Sequence, residues 1–225
     1  MVEEEFRDTR YSVDMERDSA ATRRRLLDAA EAEFARYGLA GARVARIAEA
    51  GGANKQAIYA YFGDKTGLFD AVLAKRHTDV LAAVSFDSDD VVGFVGRLFD
   101  YITENPAVMR LAAWKRLERP AGDGISDGDY LGWTTPLLQA QKDGRVDAAF
   151  DPAALAVLLF GLASAWDGVH SLPVRADTAT ASEEAASSRA TYRHDLLEAT
   201  RRLVTPTAQP EAVAAPSAHR KRPRR

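Results

Sequence analysis

The chain contains no cysteine. Disulfides and thiolate metal centres are excluded, and the composition fits a reducing compartment. No apolar run approaches the roughly 18 residues that a membrane-spanning helix needs. The opening MVEEEFRDTR is acidic and has no apolar stretch of the kind a secretory leader carries, so no leader is expected and the cytoplasm is the expected location. No segment alternates apolar and polar residues over a useful strand length. There is no HxxxH pair or acid–histidine cluster to hold a metal, and no cofactor is expected. Glycine-rich phosphate loops, nucleophile elbows and paired acids at a helical spacing are also missing, so nothing in the sequence marks an enzyme.

What is present is a chain of 225 residues, 46% of them hydrophobic, enough for one large or two small domains. The net charge of −3 is unevenly distributed. Residues 19–76 carry ten Lys or Arg against six Asp or Glu, whereas residues 77–219 carry twelve against twenty. A basic block inside an acidic protein is the electrostatic footprint of a local nucleic-acid-binding face. Arginine (24) far outnumbers lysine (6), which with the abundant alanine points to a GC-rich genome rather than to a function.

The pattern predicts an all-α fold. Residues 1–18 are highly charged without a helical period and are read as a mobile arm. Thr22 is placed to cap a helix running to about Tyr37, with Leu27, Ala30, Phe34 and Tyr37 as its apolar stripe and Gly38 as its stop. Further helices are predicted from Asp64 to about Val84, Val91 to about Asn105, Pro106 to about Glu118 and Tyr130 to Lys142, the last kinked or broken at Pro136. Asp151-Pro152 signals another helix start. That helix, AALAVLLFGLASAWDGVH, is apolar on nearly all sides and is expected to be buried against several partners. A last helix spans about Ser182 to Leu203. The tail, residues 205–225, is Pro/Ala-rich, ends in HRKRPRR and has the composition of disorder.

Within the basic block, VARIAEAGGANKQAIYAYFGDK (residues 44–65) reads as two short helices joined by a glycine turn. Val44, Ile47 and Ala48 supply one apolar face, and Ile58 and Phe62 the other. Gly51-Gly52 can close the first helix in a left-handed conformation, and Asn54 can cap the second. Such a unit is a helix-turn-helix, whose second helix enters the DNA major groove. That helix offers Lys55, Gln56, Ala57, Tyr59 and Tyr61 to phosphates and base edges.

These residues, in this order, resemble the tetracycline-repressor (TetR) family of bacterial transcription regulators. The likeness covers about residues 20–73: Thr22-Arg23, LLDAAEAEFARYG, IAEA, Gly52, Tyr59-x-Tyr61-Phe62 and Lys65, without insertion or deletion. It implies a helix-turn-helix domain over residues 19–66 and a larger helical ligand-binding and dimerisation domain over 67–204. It also implies a homodimer on a palindromic double-stranded operator, released by a small-molecule effector. Tyr59, Tyr61 and Lys65 would then hold phosphates, with Lys55 against the DNA, Gln56 reading adenine and Ala57 meeting a thymine methyl. The sequence departs from the family pattern at Ala42, where a threonine cap is usual. Arg43, Ala53, Asn54 and Gln56-Ala57 also differ from common choices, so the operator cannot be borrowed from relatives. Arg43 remains within reach of a phosphate.

The resemblance also implies a largely apolar ligand pocket in the second domain. Trp114, Trp133 and Trp166, with Tyr101 and Phe160, are its candidate lining, and His170 and His194 are candidate polar contacts. The last two long helices are expected to form a four-helix bundle with their copies in a second subunit. Two other readings remain open: a transcriptional activator of the same fold, and a helical protein-interaction module whose basic helix binds an acidic partner.

Overall fold

The computed structural model describes the backbone of residues 2–119, 132–170 and 180–206, and the side chains of 18–119, 132–166 and 187–206. Among the described residues every regular element is an α-helix. In chain order these are α1 (Val2–Gly41), α2 (Val44–Ala50), α3 (Lys55–Phe62), α4 (Lys65–Ala83), α5 (Val91–Glu104), α6 (Pro106–Glu118), α7 (Thr134–Lys142), α8 (Pro152–His170) and α9 (Thr180–Val204).

Short polar side chains start α3, α4, α5 and α8. Asn54 accepts from Ala57 N–H at 2.8 Å, Asp64 from Gly67 N–H at 2.7 Å and Asp90 from Gly93 N–H at 2.8 Å. Asp151 accepts from both Ala153 and Ala154 N–H at 3.0 Å. Each bond satisfies an amide that the helix itself leaves unpaired.

Two apolar cores result. The first joins α1 to α4 through Leu26, Ala30, Phe34, Ile47, Ile58, Leu68, Phe69 and Val72, with Phe34 and Phe69 edge to face at 5.0 Å. Leu111 of α6 is buried in the same core. The second gathers α5, α7, α8 and α9 around Phe94, Leu98, Phe99, Leu155, Leu159 and Leu196. Arg193 of α9 ties that assembly to α5 through a two-pronged contact with Asp100, at 2.8–3.0 Å.

Helix α4 is continuous through both regions. Its first half is buried in the first core, and its second half reaches the flank of the second, where Val80 packs. A domain boundary at residues 66–67 therefore falls inside α4. From α6, Glu118 accepts from Leu39 N–H at 2.5 Å and from Ala40 N–H at 3.2 Å, and Arg119 pairs with Asp70 of α4.

Three expectations change. Helix α1 begins at Val2, across the span read as an arm and through Thr22, which is therefore no cap, because residues 2–37 contain neither glycine nor proline and are rich in helix formers. The missing apolar period there removes a reason to pack, not a reason to be helical. Helix α7 is described from Thr134, which puts Pro136 in the first turn, where its missing N–H costs no helical bond. The part expected from Tyr130 to Leu131 lies outside the described residues. Helix α8 is not buried all round: Val157 is 57% and Leu158 45% exposed, beside exposed Ala154, Gly161 and Ala165. The tail from residue 207 lies outside the described residues.

Gly38 ends the straight part of α1 as expected, with φ +68°, and α1 resumes for one short turn beyond it. A side chain there would meet the Trp114 ring, since a Cβ would lie 2.7 Å from it. Strain at positive φ adds to that overlap. We expect Gly38→Ala to lower stability by about 2 kcal/mol in urea unfolding. A loss below about 0.5 kcal/mol would show that the contact between α1 and α6 yields easily.

Candidate nucleic-acid interface

The turn before α3 is built as the glycines predict: Gly52 has φ +63°, and Ala53 N–H closes onto Ala48 O at 2.9 Å. Ile58 is fully buried, which fixes the rotation of α3 about its axis. Lys55, Gln56, Tyr59 and Ala60 consequently face outward, Tyr59 with 52% of its surface exposed. Ala57 is half-buried against the core. Arg43 is exposed at the start of α2, and its N–H donates to Glu33 at 2.8 Å.

Two expected phosphate ligands already have partners. The Tyr61 ring is half-buried, and its hydroxyl lies 3.0 Å from Ser19 Oγ, joining α3 to α1. Lys65 Nζ donates to Ala40 O at 3.2 Å and Ala42 O at 3.3 Å, closing the end of α1. An ammonium has three donors, so one remains for a phosphate.

Some contributors were not read from the sequence. Exposed Arg23 lies over the Phe62 ring at 5.2 Å, which places a second cation at the C-terminal end of α3. Glu33 is the anchor of the α1–α2 corner. It accepts from Arg43 N–H and from Arg46 Nε, both at 2.8 Å, and the Arg46 guanidinium lies over Tyr37 at 4.4 Å. Thus Glu33 holds the backbone N–H of Arg43, the residue that starts α2 without a side-chain cap of its own. Ala42 itself is buried. Neither the stacking partner nor this long-range cap has a signature in local spacing.

The candidate ligand-lining residues divide. A cavity of about 50 Å³ lies between α4, α5, α6 and α8, and Trp133 and Phe160 line it. Trp114 does not. It packs on the first core, and its Nε1 donates to Ala35 O at 3.3 Å, so it holds the two regions together. Tyr101 and Trp166 pack on the second core, Trp166 5.3 Å from the Tyr192 ring. Arg76 and His77 of α4 also line the cavity, and no sequence pattern singles them out. His194 is exposed, and the side chain of His170 lies outside the described residues.

Against this geometry, residues 26–72 match the model of the tetR family of bacterial regulatory proteins, and residues 90–202 that of the tetracyclin repressor-like C-terminal domain. The chain is 49% identical over 152 residues to the HTH-type transcriptional repressor SCO4008 of Streptomyces coelicolor, covering 66% of this chain and 79% of that one. The chain belongs to the TetR family.

Solved structures agree with that membership. SCO4942 of Streptomyces coelicolor, a candidate transcriptional regulator, is 30% identical with a TM-score of 0.63, over 81% of this chain and 98% of that one. NalD, the secondary repressor of the MexAB-OprM multidrug efflux pump in Pseudomonas aeruginosa, has a TM-score of 0.52 over 83% of this chain and 98% of its own. At 18% identity NalD shows the fold alone. As a TetR-family protein the chain is a DNA-binding transcription regulator, which is not an enzyme class. The family's regulators bind operator DNA and act as dimers with small-molecule ligands. Among the described residues no helix is long and apolar enough to cross a membrane.

Burial raises the Glu33 carboxyl, but the bonds from Arg46 and Arg43 outweigh it and hold the group below its ordinary value of 4.5. A depressed carboxylate stabilises the fold above its unfolded-state value and loses that contribution as pH falls through the folded one. Glu33→Gln should therefore cost about 1 kcal/mol at pH 7 and progressively less below about pH 4.5. Urea unfolding across pH checks this, and an equal penalty at pH 7 and pH 3 would rule out the carboxylate as the anchor.

Proposed function

We propose that the protein is a repressor that binds a palindromic DNA operator as a homodimer and is released by a small-molecule effector. The observation carrying this is the exposed row Lys55, Gln56 and Tyr59 on a helix whose rotation is set by buried Ile58. A single eight-residue helix makes too few base contacts for selective binding, so two copies related by a twofold axis are needed. The face of α8 formed by Ala154, Val157, Leu158, Gly161 and Ala165 supplies the apolar, small-residue surface for that pairing.

In this reading Lys55, Tyr59 and Arg43 hold phosphates, with Lys65 lending its remaining donor. Gln56 reads an adenine through its amide, and Ala57, half-buried, meets a thymine methyl only at close approach. Tyr61 positions α3 through Ser19. Effector binding shifts the protein toward a dimer in which the two α3 helices no longer match the operator spacing. The effector must bind that state more tightly than the DNA-bound one. Repression follows the name of SCO4008, to which the chain is 49% identical.

Two variants test the division of labour on DNA flanking the gene. Lys55→Ala should weaken binding to all duplexes alike and lower the salt slope by about one. Gln56→Ala should change the ranking of operator variants by about 1–3 kcal/mol at one position per half-site. An unchanged ranking would remove Gln56 from base readout. Leu158→Glu should yield a folded monomer by sedimentation, with operator affinity reduced about a hundredfold. Dimer formation at wild-type strength in that variant would place the interface elsewhere.

A further inference from the structure

Among the described residues two buried side-chain nitrogens have no hydrogen-bond partner: Arg76 Nε and Trp133 Nε1. Both belong to residues that line the same cavity. Each is an N–H donor with no acceptor capacity. An unpartnered buried donor costs on the order of 1–3 kcal/mol, and here two residues that each carry one line the same space. Trp133 is only 4% exposed, and its ring is fixed edge to face against Phe94 at 4.9 Å. The rest of the wall is mainly hydrocarbon, including Leu98, Ile102 and Met109.

We infer that this cavity takes a compact, largely apolar molecule bearing a neutral carbonyl oxygen, which accepts from Trp133 Nε1 and Arg76 Nε. The inference rests on the effector reading above and names its ligand chemistry. Neutrality follows from what Arg76 already holds. Its Nη2 pairs with Glu31 and its Nη1 lies 3.3 Å from Asp79, and Lys75 faces the same two carboxylates at 4.0 and 3.3 Å, so two cations and two acids already balance here. A ligand carboxylate would be brought toward those two acids, whereas a carbonyl dipole satisfies the donors without adding charge.

The same contacts provide the coupling. At about 50 Å³ the cavity is well below the several hundred Å³ that ligand sites enclose, so it must widen to admit such a molecule. Its α4 wall carries Arg76, whose other nitrogens hold Glu31 on α1 and Asp79 on α4. Widening therefore strains the α1–α4 contact that orients the helix-turn-helix.

Calorimetry and ligand-observed NMR with acetophenone, ethylbenzene and benzoate test the assignment on the full-length protein. The affinity ratio of acetophenone to ethylbenzene should fall about tenfold in Trp133→Phe, which keeps a ring and removes the donor. Benzoate should bind more weakly than acetophenone. Ala112→Leu, which adds bulk to the cavity wall, should abolish binding of all three. A second measurement needs no substitution: with indole nitrogens labelled, the Trp133 N–H proton should move downfield with acetophenone and not with ethylbenzene. An unchanged ratio in Trp133→Phe, tightest binding by benzoate, binding that survives Ala112→Leu, an unmoved Trp133 proton or no binding by any probe would each overturn the inference. Gel shifts with the same probes report separately on the effector reading. Acetophenone that binds at Trp133 without loosening DNA leaves the ligand chemistry standing and sinks release by this site.

Discussion

The structure depends above all on the packing of α4 against α1. Phe34 and Phe69 meet edge to face there, and the ion pair between Arg76 and Glu31 closes the same seam further along. Because α4 is one unbroken helix, the residues that bury its first two turns also fix where its second half stands. That second half is a wall of the cavity. A helix transmits displacement along its axis with little loss, so a change at Arg76 has a direct mechanical route to the domain that carries α3. In the proposal made above, that route is the path from the ligand to the recognition helices.

A second set of contacts keeps that path from slackening. Trp114 and Glu118 of α6 grip α1 on either side of Gly38, and Lys65 closes the carbonyl end of the same segment. All three bonds go to backbone groups left unpaired where α1 bends. The bend is thus satisfied by side chains of α6 and α4 rather than by its own neighbours in sequence, and the helix-turn-helix is seated on both helices. Exposed ion pairs elsewhere, such as Arg202 with Glu198, are surface features of little energetic weight.

What the sequence made legible follows from how local each feature is. Caps at Asn54 and Asp151, the turn at Gly52, the stop at Gly38 and the buried Ile58 of α3 all depend on residues within a few positions of one another. They stand where the pattern put them. Trp114 did not, because spacing marks it as apolar without saying which of two cores receives it. Arg76, Glu33 and Glu118 were missed for the same reason: each acts on a partner at least ten positions away in sequence. Val2 to Asp18 misled in the opposite sense, since a charged segment without a buried face still has strong helix propensity. The exposure of Val157 and Leu158 reconciles the apolar circumference of α8 with a single chain: part of that surface is proposed to be covered by a second copy.

The absence of cysteine allows the account's central claim to be tested directly. A single Glu49→Cys substitution, on an exposed face of α2, would place one spin label per protomer. Electron–electron distance measurements on the dimer should give a broad distribution when free and one narrow distance when bound to a duplex carrying the operator. Its half-sites are expected to be about 34–36 Å apart, or a multiple of that. Adding acetophenone should move the population to a different distance and release the duplex. The same distance distribution in the free, DNA-bound and acetophenone-bound protein would contradict coupling between the cavity and the recognition helices.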